Sequence, residues 1–455
     1  MSDILATFYG TVAMAFAVGH GDNLANTVPL SESHPFFWLL HQAVQNSSDT
    51  QLSPKVIVRD LNTPGLPQTM KWPIATLLST VLIFVRDGPG EDEQGTYRAF
   101  KNMLSIHSNL HKLYSQDDGA YAFSTPLVLG LCRRVVELGD IAAAASTAPM
   151  REPSSPRSIR DAARQALERT MQVASAPVSQ DTAEAQYTPA DALWPLANLL
   201  WRIYAARRLH TQAAELAKTF RNLSPSEEVR LARGVPASAL AETCYWRGRL
   251  GIVLLDFRLA RWWLEKAWAL CPDAWQQRRS ILIKLVPAAL LTGSLPAPGL
   301  LEEYSLPVYA ALVQAFRTGN VAQWRALVEQ HREWLRARQV WLLLFERGEI
   351  LVWRNLFRHA LRAYYDVEPS APRNRCPTWV FEEAARRAFA GSRELEEDLG
   401  LEDVVCVLSS LIDQGLLMGN ISYSQRQVVM RPRPDGMGGF PRLKDVTPRR
   451  VQAVA

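Results

Sequence analysis

Residues 278–296 read RRSILIKLVPAALLTGSLP, and the fold class follows from this stretch. Ile281, Leu282, Leu285, Val286, Ala289 and Leu290 recur at helical spacing and cover more than half of one cylinder, with Lys284 as the only interior charge. A helix this apolar needs neighbours on both sides, as in the middle of a helical stack. Pro287 lies inside the pattern. It has no N–H to give the carbonyl of Ile283, which predicts a kink. Gly293 reads as the C-terminal cap, with Pro296 and Pro298 preventing continuation.

Outward from this helix, the neighbouring segments pair. Helices predicted over 193–208 and 211–222 are followed by helices over 237–255 and 259–270, so equivalent second helices lie about 48 residues apart. Ala213, Ala214 and Ala217, and again Ala260 and Ala267, permit close approach within each pair. Beyond the central helix come helices over 308–317 and 321–336, joined by Thr318-Gly319-Asn320, and a long apolar run over 340–365. A single hairpin cannot bury its apolar face, so such units stack into one continuous core. The first 145 residues carry weaker helical signals over 4–18, 36–45, 74–85, 97–113 and 127–145. MREPSSPR at 150–157 reads as a linker, a helix follows over 159–173, and 175–188 is a second polar stretch.

The texture changes after Pro369-Ser370-Ala371-Pro372. A helix is predicted over 378–389, with Thr378 as its cap, and another over 401–414, ended by Gly415. Two short strands, 416–422 and 426–431, are joined by Tyr423-Ser424-Gln425. Helix, helix and β-hairpin in that order describe a winged-helix module. The fold class is therefore an all-α, tetratricopeptide-like helical-repeat superhelix ending in a small α+β winged helix.

The 455 residues are 48% hydrophobic and 9% aromatic, as in a folded protein. Five cysteines stand at 132, 244, 271, 376 and 406 without a CxxC pair, which argues for a reducing compartment and against a zinc ribbon or disulfide scaffold. The apolar run 4–18 lacks a basic flank and is too short for a bilayer, so no membrane insertion is expected. The net charge is +5, unevenly spread. Residues 1–190 hold 14 basic side chains against 18 acidic, whereas residues 414–455 hold seven against two. Such a basic end suggests contact with a polyanion or an acidic partner.

Several segments together carry a family resemblance. They are Tyr245-Trp246-Arg247-Gly248-Arg249, residues 278–287 with Leu290-Leu291-Thr292-Gly293, and Ala315-Phe316-Arg317-Thr318-Gly319-Asn320. To these belong Trp353-Arg354-Asn355-Leu356-Phe357-Arg358 and residues 402–422, ending in Met418-Gly419-Asn420-Ile421-Ser422. In this order and spacing they resemble the PCI domain shared by subunits of the proteasome lid, the signalosome and translation initiation factor three. The likeness is strongest to the branch of the PCI subunit of the TREX-2 transcription-export complex and its signalosome-related subunit-twelve paralogue. It covers roughly residues 240–430, more weakly from about 190, and residues 1–190 match nothing in it. The end also departs: Phe440-Pro441 comes after an insert at 432–439.

The expected organisation is an N-terminal helical region (1–150), a linker and helix (151–190), the repeat part of the PCI domain (191–369), its winged helix (370–443) and a basic tail (444–455). The resemblance implies a non-enzymatic scaffold in nuclear mRNA export, placed in the nucleus at the nuclear pore. It implies pairing with a second PCI-domain protein, and a small acidic subunit shared with the proteasome lid. It also implies sequence-independent RNA or DNA binding across paired winged helices, and no cofactor. The alternative within the resemblance is the paralogous signalosome-related or splicing-associated subunit, which mainly binds protein.

The side chains qualify the nucleic-acid expectation. A recognition helix over 401–414 exposes Glu402, Asp403, Ser409, Ser410 and Asp413, which suit neither bases nor phosphates. Arg426, Arg431, Arg433, Arg442 and Lys444 are the candidate phosphate contacts, extended by Arg354 and Arg358 on the apolar helix; the alternative for that stripe is snorkelling over the stack. The wing residues Leu417, Gly419, Ile421, Tyr423, Val428 and Met430 are the candidate partner contacts, because a hairpin leaves a strand edge to be covered. Enzymatic readings are weak. His107 and His111 have the spacing of metal ligands, but Ser108 stands where HExxH needs glutamate. Gly436-Met437-Gly438-Gly439 follows no strand, Glu394, Glu396, Glu397 and Asp398 form an acidic run on a connector, and no nucleophile pairs with a base.

Overall fold

The computed structural model describes residues 3–61, 64–116, 120–176, 187–221, 235–390, 399–431 and 439–446. Arg433, the acidic run from Glu394, most of the polar stretch at 175–188, and Arg449 and Arg450 lie outside them. The chain divides into two compact units, Met1–Trp246 and Arg247–Ala455, with the boundary inside one helix.

Among the described residues the regular elements of the first unit are all helices. It contains α1 (Asp3–Val18), α2 (Gly21–Thr27), α3 (Phe37–Val44), α4 (Pro54–Asp60), α5 (Gln68–Asp87), α6 (Glu93–Tyr114), α7 (Thr125–Ala145), α8 (Pro156–Ala174), α9 (Leu193–Ala206) and α10 (His210–Arg221). The short helices α2 and α4 escape the periodic signal because seven residues give at most two apolar recurrences. Helix α5 is long and apolar enough to cross a membrane, yet Ile74, Leu78, Val81, Leu82 and Val85 are fully buried in the protein core. His107 on α6 is buried and shares a 2.9 Å hydrogen bond with Thr170 on α8. Its ring stacks on that of His111. Burial first, then the His111 and Arg169 charges, lower its pKa from 6.5 to about 4. Among the described residues no group of three or more His, Cys, Asp or Glu side chains is arranged to hold a metal.

The second unit begins within α11 (Ala237–Val253) and continues through α12 (Phe257–Leu270), α13 (Trp275–Leu291), α14 (Pro298–Glu303), α15 (Pro307–Thr318), α16 (Val321–Gln330) and α17 (Arg332–Ala337). Gly248 and Gly251 on α11 lie against Ala260 and Leu264 on α12, where any Cβ would approach to 3.0 Å or less. A short helix, Trp341–Leu343, and a π-helical turn, Leu344–Gly348, then lead into α18 (Glu349–Val367). The apolar run at 340–365 is thus not one regular helix. Gly348 sits in the π turn directly against the Trp324 ring, where a side chain would collide. The predicted helix over 321–336 likewise breaks at His331, between α16 and α17.

Helix α13 is the apolar stretch that defines the fold, and it continues through Pro287 to Leu291. The Ile283 carbonyl that Pro287 leaves without a helical donor accepts a 2.7 Å hydrogen bond from the buried Tyr309 hydroxyl on α15. Burial drives the Tyr309 pKa upward, which keeps that proton in place. Lys284 is buried too, and its ammonium donates to the carbonyl of Arg338.

After α18 comes a winged helix: β1 (Arg375–Pro377), α19 (Thr378–Ala388), α20 (Leu401–Asp413), β2 (Gly419–Ser422) and β3 (Gln427–Met430). The strands form an antiparallel sheet in the order β1-β3-β2, with Cys376, Val428 and Ile421 in one register row. Strand β1 gives no sequence signal because it is three residues long and ends in proline. One apolar core runs from Leu282 and Tyr309 through Trp324 and Phe357 to Phe381, Leu408, Val428 and Phe440, so the last helices and the wing share an interior. The all-α array ending in a winged helix is as expected from the sequence.

Two outcomes test this packing. Tyr309→Phe should destabilise the chain by about 1–3 kcal/mol, the cost of an unpaired buried carbonyl. Pro287→Ala should restore part of that loss in the double variant, as urea denaturation of the cycle would report. For His107 the folded-state pKa lies below the unfolded one, so the unfolded chain binds more protons between pH 6.5 and about 4. Stability should therefore fall by about 3 kcal/mol as pH drops through that window, and His107→Gln should reduce the loss in denaturation midpoints.

Candidate nucleic-acid and partner interface

The wing is assembled by backbone pairing on both sides of β3. Arg375, Cys376 and Pro377 pair with Val429, Val428 and Gln427, and Gly419 to Ser422 pair with Met430 to Gln427. Strand alternation sends Cys376, Val428 and Met430 into the core, and Arg375, Val429 and Arg431 to the opposite face. Residue Arg426 adopts a left-handed conformation, φ 47°, in the turn before β3. Its carbonyl accepts from both the N–H of Thr378 (2.9 Å) and the Thr378 hydroxyl (3.1 Å). Thr378 therefore does not cap α19, as its position after Pro377 suggested; it pins the hairpin turn to the start of that helix.

The segment after the wing is docked onto the helices. Phe440 is buried, the Gly439 carbonyl accepts from the N–H of Met418 (2.7 Å), and Leu443 lies against Gly293 beyond α13. Arg258 at the start of α12 donates to the carbonyls of Lys444 (2.8 Å) and Val446. Arg354 on α18 is the central clamp. It is 3% exposed, donates to the Pro441 carbonyl and to Asn355 Oδ1 (3.0 Å), and lies near the Phe440 ring. Burial, then the neighbouring Arg358 charge, lower its pKa to about 10. Asn355 in turn donates to the Phe316 carbonyl (2.9 Å), and His359 reaches the Arg317 carbonyl (3.0 Å). These are last-turn carbonyls of α15, which the helix itself leaves unpaired. Gly319, at φ 76°, ends α15 directly against Leu356, where a Cβ would lie 2.5 Å from its backbone nitrogen. Residues 315–320 and 353–358, noted in the sequence as separate segments, are thus one contact.

This geometry sorts the predicted residues. Arg426, Arg431, Arg442 and Lys444 are exposed, and Arg358 is half-buried. Arg354 is withdrawn from any phosphate: the apolar periodicity of α18 includes it, and its guanidinium is spent on the Pro441 carbonyl. Leu417, Val428 and Met430 are likewise withdrawn from a partner, because they belong to the core beneath the sheet. The expectation that 427–430 offers a free edge also fails, since β3 is the central strand. Strand β2 is the edge of the hairpin. Gly419 and Ile421 are half-buried on it, and Met418 and Tyr423 at its ends are exposed. The outer positions of α20 carry Glu402, Asp403 and Asp413, all exposed, as the sequence indicates. Exposed Trp379 and Arg375 were missed, the latter for want of a signal for β1.

A second basic feature lies along the helices of this unit. The charges acting on buried Lys284 are Arg249 and Arg338, both positive; with burial as the larger cause they lower its pKa from 10.5 to about 7. Arg279 acts in the same sense on Arg338. The half-buried Arg249, Arg279 and Arg338 thus crowd positive charge around the buried Lys284, and a negative group beside the arginines would relieve the repulsion.

This architecture, a repeat array and a winged helix on one core, has relatives in sequence. A PCI domain-containing protein of Schizosaccharomyces pombe is 26% identical over 383 residues, 82% of this chain and 81% of its own length. A PCI domain-containing protein 2 homolog of Dictyostelium discoideum is 27% identical over 285 residues, 62% of this chain and 60% of its own. For PCI domain-containing protein 2 of Danio rerio the figures are 27% over 260 residues, 55% and 57%. No protein-family model matches. The chain is thus similar, over most of its length, to a PCI domain-containing protein. PCI-domain proteins are generally non-catalytic scaffold subunits.

The clamp separates structural from ligand-binding roles. Arg354→Met should lower stability by about 2–3 kcal/mol in urea denaturation, the loss expected for buried charged hydrogen bonds. It should leave the salt dependence of any nucleic-acid binding unchanged, since no phosphate contact is removed.

Proposed function

We propose that the chain is a non-enzymatic scaffold subunit of a nuclear mRNA-export complex, acting in the nucleus at the nuclear pore like the PCI subunit of TREX-2. The outer edge of β2, flanked by Met418 and Tyr423, pairs with a second PCI-domain protein. The small acidic subunit lies along Arg249, Arg279 and Arg338, where its carboxylates meet arginines whose charges now act on one another and on the buried Lys284. RNA or DNA is held without sequence selectivity by Arg426 and Arg431, joined by Arg433, Arg442 and Lys444. The observation that supports this most is the coincidence, on one wing, of the outer strand β2 and outward arginines. The acidic face of α20 and the burial of Arg354 favour the second reading, a signalosome-related or splicing-associated subunit that mainly binds protein.

Glutamate at Arg426, Arg431 and Arg433 together should abolish RNA binding by the complex with its PCI partner. Wild-type affinity should fall roughly a hundred- to five-hundredfold between ~50 and ~200 mM salt, the slope expected for five phosphate contacts. Retained affinity in the triple variant, or no RNA binding by the wild-type complex, would favour the protein-only reading.

A further inference from the structure

Trp379 is 58% exposed although it lies in the first turn of α19, directly after the Thr378 that pins the hairpin turn. Its ring meets Tyr364 on α18 edge to face, 6.2 Å between centroids at 88°, which fixes its orientation and leaves much of it in water. The Thr378 contacts to the Arg426 carbonyl place this tryptophan next to the hairpin turn, whose Tyr423 is 64% exposed. Arg375, four residues before Trp379, stands exposed on edge strand β1, and Arg426 is exposed in the turn. The carboxylates of the same helix, Glu382 and Glu383, are engaged by Arg386 and Arg387. An exposed aromatic ring on an element that also presents exposed arginines is an arrangement that single-stranded nucleic acid uses: bases stack on the ring while phosphates lie against the arginines. A duplex keeps its bases stacked on one another and gains nothing from such a ring.

Resting on the nucleic-acid reading above, we infer that Trp379 is a base-stacking platform, with Arg375 and Arg426 as flanking phosphate contacts, and that the wing therefore prefers single strands to duplex. The experiment uses the full-length chain, with fluorescence anisotropy of labelled oligouridine of about 12 nucleotides and of a duplex of equal length. Trp379→Ala should weaken oligouridine binding about tenfold and leave the duplex unchanged. Trp379→Phe, which keeps a stacking face, should restore most of the loss. Should the alanine variant lose its melting transition, Trp379→Gln replaces it. Unchanged oligouridine affinity in both the Ala and Gln variants overturns the platform while leaving the arginine contacts standing. Equal losses for single strand and duplex overturn it too, as does loss of the PCI partner with RNA binding intact, which would make this a protein-docking surface. If neither the wild-type chain nor its complex with the PCI partner binds either oligonucleotide, the nucleic-acid reading itself fails and the platform with it.

Discussion

The wing of this protein is held by one buried cation. Arg354 lies inside the core at 3% exposure, where an unpaired guanidinium would be prohibitively costly, and its donors reach the Pro441 carbonyl and Asn355. Through Asn355 the same network reaches the carbonyl end of α15. One side chain thereby joins the returning C-terminal segment, the helix beneath it and the preceding hairpin of the array. Every surface assigned to a ligand, the β2 edge, the outward arginines and Trp379, keeps its place because that segment and those helices share one interior.

Much of this was readable from residue order. The helices over 193–208, 259–270, 308–317 and 401–414 announce themselves by period, and Gly319 and Gly415 mark their ends by the left-handed backbone that only glycine adopts easily. What stayed hidden was of two kinds. Some elements are too short to have a period: α2, α4 and the three residues of β1. Other features depend on which way a side chain points once neighbours are fixed. Arg354 and Arg358 occupy one helical stripe, yet only Arg354 turns inward, and nothing local distinguishes them. In the same way β3 looks like half of a two-stranded hairpin until β1, contributed from the far side of α19 and α20, makes it central.

The electrostatics of the winged helix run against its best-known use. A recognition helix that enters a major groove must offer donors, and α20 offers carboxylates. Its cations sit on the sheet face and in the turn instead, where they can meet a backbone without reading bases. Fold alone would have suggested the opposite surface, a reminder that function resides in the side chains a scaffold presents.

Pro287 shows how such an array can be keyed at a single rung. Helices stacked only by apolar faces interdigitate ridge into groove, and settings one turn apart can pack almost equally well. A carbonyl stripped of its donor tells such settings apart. It requires a hydroxyl at one height, and Tyr309 supplies it from the adjoining helix, setting the vertical phase of α13 against α15 much as a dowel registers two planks.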